Sequence, residues 1–249
     1  MDLNLEGKTG LVTGASAGIG RAIALSLAKE GVRLALVARR QALLEEVARE
    51  IAAAKAPAPI LVVADLMDED AAERIGEKAL EALGRVDILV NSAGASRPLP
   101  IDAGEDLWNE AITLNFTRLR QVTQRVIPGM IGNKWGRIIN ISGKNEPWEL
   151  NGSLTAKAAL HAWAKSISRE LGRSGITVNS IAPGRIVSEQ ILRNYTDEQR
   201  LAATKEIPVG EYGDPQDLAN LAIFLASPRA RYITGTVIPV DGGLRRYAF

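Results

Sequence analysis

Apolar positions along the chain switch between two periods, and the switching predicts its architecture. Apolar runs of strand length stand at residues 8–13, 33–38, 60–64, 86–90, 137–141, 176–181 and 236–240. Between them the spacing becomes helical. Residues 19–30 place Ile19, Ile23 and Leu27 on one face and close at Gly31, and residues 41–55 do the same with Leu44, Val47 and Ile51 before Pro57 and Pro59. Residues 68–83, 153–171 and 215–226 read as further helices, and 105–130 as one long helix or two. Strands alternating with helices of this length predict an α/β fold, a single-domain Rossmann-type doubly wound parallel sheet of about seven strands with helices on both faces. Ligands in such a sheet bind at the carboxyl ends of the strands.

Composition narrows the partners. With 249 residues, 46% of them hydrophobic, the chain can bury a full core as one unit, and no repeat or linker divides residues 1–249. Its 30 basic and 29 acidic side chains nearly cancel, which argues against nucleic acid or an anionic membrane as a partner. A small-molecule substrate fits better. The absence of cysteine excludes disulfides, thiolate nucleophiles and Cys-based metal sites, and the single His161 excludes a histidine cluster, so no metal is expected. The opening MDLNLEGKTG lacks the basic and apolar regions of a signal peptide, and the expectation is a soluble, cytoplasmic protein.

Candidate chemistry begins at residues 13–21, TGASAGIGR, a glycine-rich turn between the first strand and the first helix. Gly14, Gly18 and Gly20 leave no side chain where the backbone must bend, approach a pyrophosphate and pack a helix on a strand. The free N–H groups and positive end of that helix favour a dianion. A plain surface turn is the competing reading. The position, one strand into the chain and opening a βαβ pattern, favours the phosphate.

Further along, the chain resembles the short-chain dehydrogenase/reductase family over essentially its whole length. The resemblance rests on TGASAGIG at 13–20, Asp65-Leu66 after the third strand, NSAG at 91–94, Asn115, Ser142, Lys157, VNSIAPG at 178–184 and ITGTVIPVDGG at 233–243. It implies a nicotinamide dinucleotide held by Gly14, Ser16, Gly18, Ile19 and Gly20, with Asp65 and Leu66 beside the adenine. Asn91, Ala93 and Gly94 would line the nucleotide floor, and Pro183, Gly184, Ile186 and Ser188 would meet the nicotinamide end. For Asp65 a turn or helix cap is a compatible second role.

Enzymes that choose NAD place an acid about twenty residues beyond the glycine turn to accept the ribose 2′-hydroxyl. Ala38 stands there, followed by Arg39 and Arg40. A guanidinium at the end of the second strand pairs with a 2′-phosphate, so NADP(H) is the expected cofactor. A solvated basic pair is the plainer alternative.

One departure from the family pattern stands out. The family's usual tyrosine, four residues before the active lysine, is replaced by Ser153, and Tyr195, Tyr212, Tyr232 and Tyr247 all lack a lysine four residues on. A phenol of ordinary pKa about 10 can be drawn toward neutrality as a proton donor, whereas an aliphatic hydroxyl is far less acidic and Ser153 is shorter. Three explanations stay open. A hydride still moves and the proton comes from water held by Ser142, Ser153 and Lys157, or from Lys144, Glu146 or Glu149 on the adjoining loop. Alternatively a conjugated C=C bond is reduced through an enolate, as the similarity of Ser-x-x-x-Lys to 2,4-dienoyl-CoA reductases suggests. In the third, the chain is a catalytically impaired NADP(H)-binding scaffold or sensor.

The catalytic expectation is therefore Ser142 on the substrate oxygen, Ser153 in the tyrosine's place, Lys157 on the ribose with its positive field, and Asn115 supporting the lysine through water. A carbonyl reductase of 3-oxoacyl type is the broad substrate class that the resemblance implies. Residues 95–101, 143–152 and 185–208 should wall the pocket, with 185–208 as a lid and Trp148 either lining or packing. Arg97, Lys144, Arg185 and Arg193 are candidates to receive an acidic substrate. His161, one turn beyond Lys157, reads as a packed or interface histidine, with a replacement donor as the alternative. The resemblance also implies a homotetramer or dimer paired through the helices bearing Asn115 and Lys157.

Overall fold

In the computed structural model, which describes residues 2–143, 146–147 and 149–247, seven strands form one parallel sheet. They are β1 (Thr9–Thr13), β2 (Arg33–Ala38), β3 (Ile60–Val63), β4 (Ile88–Asn91), β5 (Gly136–Ile141), β6 (Ile176–Pro183) and β7 (Val237–Val240). Their order is β3-β2-β1-β4-β5-β6-β7. The chain winds outward from β1 to β3, then returns to lay β4 on the other side of β1. That reversal opens a crevice at the carboxyl ends of β1 and β4.

Alternation along each strand divides the core between two faces. Val12, Leu34, Leu36, Val90 and Ile139 point to one face, where they meet α1 (Gly18–Lys29), α2 (Gln41–Ala53) and α9 (Pro215–Ala226) through Ile23, Leu27, Leu44 and Leu225. Leu11, Val37, Leu89 and Ile138 point to the other, against α3 (Ala71–Leu83), α5 (Arg118–Gly132) and α6 (Gly152–Leu171) through Ile75, Leu119, Val122 and Leu160. Full burial of each of these aliphatic side chains contributes about 1.5–3 kcal/mol. The single-domain, doubly wound fold expected from the sequence is the fold observed.

Local chemistry moves several boundaries. The third helix begins at Ala71 rather than Asp68, because the Asp65 carboxylate accepts the Met67 N–H at 3.0 Å and the Asp65 carbonyl accepts that of Asp68 at 3.1 Å, making a turn first. The 105–130 stretch is α4 (Glu105–Ile112), a wide π turn at Thr113–Thr117, and α5 running on to Gly132. Residues 185–208 contain two short helices, α7 (Glu189–Asn194) and α8 (Asp197–Thr204). Among the described residues no helix is long and apolar enough to cross a membrane.

Candidate active site

The glycine turn leaves β1 at Thr13, whose hydroxyl accepts the N–H groups of Ser92 and Ala93 at 3.1 and 3.2 Å. This ties the ends of β1 and β4 together at the crevice. Gly14 has φ +68°, and a Cβ on it would lie 2.9 Å from Ala93 Cα. A Cβ on Gly20 would lie 2.3 Å from the Gly14 carbonyl oxygen, so α1 can start this close to the strand only with glycine there. Gly18 has φ +52° and faces open space. Ala17, the N-cap of α1, makes no side-chain cap bond, and the first turn holds no acid, so the positive end of α1 is uncompensated. Those features fit a dinucleotide pyrophosphate.

A groove of about 520 Å³ runs from this turn past the end of β2. Ser16, Ile19, Asp65, Leu66, Ala93 and Gly94 line it. Asn91 lies beneath it instead, fully buried, donating to Thr123 Oγ1 at 3.0 Å and Asn140 Oδ1 at 2.9 Å. Its side chain braces the floor from below. Arg39 and Arg40 also line the groove, each with an acidic neighbour. Arg39 Nη1 is 3.6 Å from Asp65 Oδ2, and Arg40 Nη2 is 3.0 Å from Glu189 Oε2.

The groove opens into a second cavity of about 740 Å³ where Ser142, Ser153 and Lys157 share one wall. Ser142 directly follows β5 and Lys157 rides the second turn of α6. Asn151 caps that helix. Its Oδ1 accepts the Ser153 N–H at 3.0 Å and the Ser153 hydroxyl at 2.7 Å, while its Nδ2 donates to Ser96 Oγ at 2.9 Å. Ser142 Oγ donates to the Ile181 carbonyl at 3.0 Å. Both serine hydroxyl hydrogens are thus directed to protein acceptors.

Lys157 is buried, and its Nζ donates to the Ile141 carbonyl at 2.9 Å. Desolvation by burial lowers its pKa from 10.5 to about 8. Asn115 sits in the π turn, a widening that turns its side chain inward. Its Oδ1 accepts the Ala95 N–H at 3.1 Å, and its Nδ2 donates to the carbonyls of Ala95 and Ala111 at 3.2 and 3.0 Å. Asn115 therefore holds the loop after β4. A Cβ on Gly94 would lie 2.7 Å from Asn115 Oδ1 and 3.3 Å from Lys157 Nζ, so only glycine lets the loop pass between them.

Pro183, Gly184, Ile186 and Ser188 come to the same cavity from the end of β6. His161 has its pKa lowered to about 4, first by desolvation and then by the Lys157 charge, and its Nε2 is buried without a partner among the described residues. It is neutral near pH 7 and cannot serve as the acid there. Arg97 and Arg185 line the cavity but are ion-paired with Glu110 at 2.6 Å and Glu206 at 2.5 Å. Glu149 also lines it, whereas Glu146 accepts the N–H groups of Arg246 and Tyr247, both at 3.1 Å. Lys144 and Trp148 lie outside the described residues.

Sequence reasoning missed Tyr212 as a lining residue and reached Tyr195 and Glu189 only as members of the 185–208 wall, with no role for either. Tyr195 and Tyr212 face this cavity from the segment opposite α6, where no spacing to Lys157 could reveal them. Glu189 meets Arg40 across 149 positions, and no local pattern encodes such a contact.

Comparison with known proteins follows the same geometry. A family model described as enoyl-(acyl carrier protein) reductase matches residues 14–245. The 3-oxoacyl-[acyl-carrier-protein] reductase FabG of Vibrio harveyi is 36% identical over 249 residues, covering 97% of this chain and 99% of its own. Among solved structures, 7α-hydroxysteroid dehydrogenase complexed with NADH and 7-oxo glycochenodeoxycholic acid aligns at TM-score 0.92 and 32% identity, covering 97% of this chain and 96% of its own. YwfH, an NADPH-dependent reductase involved in bacilysin biosynthesis, aligns at TM-score 0.90 and 31% identity, covering 96% and 99%. One neighbour holds NADH and the other depends on NADPH, so the choice of cofactor must be argued from this chain's own residues.

Proposed function

The chain belongs to the short-chain dehydrogenase/reductase family and is an oxidoreductase of that type; from this premise we propose that it uses NADPH to reduce the carbonyl of a 3-oxoacyl-type thioester. The observation that carries the reading is the shared wall of Ser142, Ser153 and Lys157 in a cavity continuous with a groove flanked by Arg39 and Arg40. The 3-oxoacyl substrate class draws on the FabG relative. When bound, NADPH supplies the hydride. Gly14, Ser16, Gly18, Ile19 and Gly20 would hold its pyrophosphate, Arg39 and Arg40 its 2′-phosphate, and Lys157 its ribose hydroxyls.

Ser153 stands in the place of the family's tyrosine and is not the acid. Its hydrogen goes to Asn151 and that of Ser142 to Ile181, leaving the remaining ammonium hydrogens of Lys157 as the acidic protons at this wall. The two serine oxygens keep lone pairs toward the cavity and hold a water that passes a Lys157 proton to the substrate oxygen. A group with pKa near 8 is well matched to that task near neutral pH. Residues 185–208 act as the lid over this cavity. The chain works in the cytoplasm as a homotetramer or dimer paired through the helices of Asn115 and Lys157.

A second reading, reduction of a conjugated C=C bond, is favoured by the commitment of both serine hydrogens to protein acceptors. With no strong acid at the wall, the Lys157 charge would suit an enolate better than an alkoxide. Turnover of NADPH with a 3-oxoacyl thioester and with an enoyl thioester, with products identified by mass, separates the two. The first reading expects a 3-hydroxyacyl product, and Ser153→Tyr should raise that rate tenfold or more, within the range of about 10²–10⁴ that a placed acid contributes. A saturated product, or no gain in a folded Ser153→Tyr variant that binds NADPH, would favour the second. Tight NADPH binding with no turnover of either would favour a scaffold.

A further inference from the structure

Arg40 is the arginine best fixed for a 2′-phosphate, and its place is already taken by a carboxylate. It forms the N-cap of α2, two residues beyond the end of β2, and its Nη2 donates to Glu189 Oε2 at 3.0 Å. Glu189 opens α7, next to Ser188, whose hydroxyl caps that helix by accepting the Ile191 N–H at 3.2 Å. Arg40 and Glu189 both line the 520 Å³ groove. The pair therefore spans that groove, joining the end of β2 to the start of the lid.

We propose that Glu189 is a cofactor-discriminating residue: its carboxylate stands in for the 2′-phosphate on Arg40 and must be displaced before a phosphorylated ribose can take that guanidinium. The inference rests on the NADP(H) reading above. A ribose that carries only a 2′-hydroxyl brings no charge to compete, so it can bind with the Arg40–Glu189 pair intact. A 2′-phosphate brings a second anion to the same donor, and two anions on one guanidinium repel. Arg39 does not relieve the conflict, because its own acidic neighbour is Asp65 at 3.6 Å. Glu189 thus narrows the preference that two adjacent arginines would otherwise give. Because it is the first residue of α7, its release from Arg40 also frees that end of the lid when the phosphate arrives.

The test is equilibrium binding of NADPH and NADH, followed by cofactor fluorescence, to the wild-type protein, Glu189→Gln, Arg40→Gln and the double variant. Glu189→Gln should tighten NADPH about two- to fivefold, the range expected from an exposed ion pair, and leave NADH unchanged. In the Arg40→Gln background the same substitution should change neither. Weaker NADPH binding in Glu189→Gln, an equal change for both cofactors, or a gain that persists without Arg40 would overturn the inference. A wild-type preference for NADH that Glu189→Gln shifts toward NADPH would correct the cofactor reading and sustain the role of Glu189. A preference for NADH that Glu189→Gln leaves untouched would overturn both.

Discussion

The two halves of the site are built by opposite means. On the dinucleotide side, all five residues of β1 and all four of β4 are buried, and the turn between β1 and α1 is closed by contacts a single methyl group would break. On the side of residues 185–208, the proposed lid, α8 buries none of its residues, Leu192 and Leu201 are 54% and 70% exposed, and order comes from caps and surface ion pairs such as Arg185–Glu206 and Arg200–Asp197. Each exposed pair contributes at most about 1 kcal/mol. One half is fixed by packing and the other by contacts weak enough to open. A cofactor of constant shape suits the first. A substrate that must enter and leave suits the second.

Three substitutions would sharpen or break that contrast. Gly20→Ala should have the largest effect, because its Cβ would lie 2.3 Å from the Gly14 carbonyl oxygen. Urea denaturation should show a loss of about 3 kcal/mol, and NADPH binding should disappear. A variant of wild-type stability would mean that the turn is not packed as described.

Lys157→Met lies at the junction of the halves and should separate activity from stability. Turnover should fall by about 10²–10⁴ if Lys157 supplies the proton. Stability should move the other way near neutral pH, where the folded wild-type protein bears a buried ammonium whose pKa burial has lowered from 10.5 to about 8. Between those values the unfolded chain binds the proton more tightly, so wild-type stability from this residue rises with pH. The Met variant's advantage should be greatest below about pH 8 and fade toward pH 10.5, while wild-type turnover declines above about pH 8. Paired pH series of midpoint and rate check both signs.

The smallest effect belongs to Thr196→Ala. Thr196 caps α8 by accepting the Gln199 N–H at 3.2 Å, and Gln199 returns the bond to the Thr196 N–H at 2.9 Å. Removing the cap should cost about 1 kcal/mol locally. Amide exchange should quicken across 197–204 and KM should rise while the global midpoint holds; a lowered midpoint would mean that this segment is part of the core and not the proposed lid.

That division also governs what could be read in advance. Gly14, Gly18 and Gly20 announce themselves because a backbone constraint is written into residue type at fixed spacing, and the alternation of Leu11 and Val12 assigns each to its face. Lys157 and Ser142 are likewise legible from their places in the pattern. Asn115 is marked in the sequence as a support for Lys157 through water, but its hold on the loop is not: the π turn that points it at Ala95 depends on packing between helices rather than on any local preference. Asn91 shows the same limit, since burial beneath the groove depends on Thr123 and Asn140 from other elements. The commitment of Arg40 to Glu189 becomes visible only once segments 149 positions apart meet, whereas that of Ser153 to Asn151 is local and follows from the cap that opens α6.

The sheet's two outer strands carry a further consequence, for solubility. β3 and β7 are the edges, each only four residues long. Pro59 immediately precedes β3, and Pro239 lies within β7 opposite Ala182, where it offers no N–H. A strand from another molecule finds a short, interrupted ladder on either side. The concentrated protein should therefore resist growing into ribbons of joined sheets, although nearly half of its residues are hydrophobic.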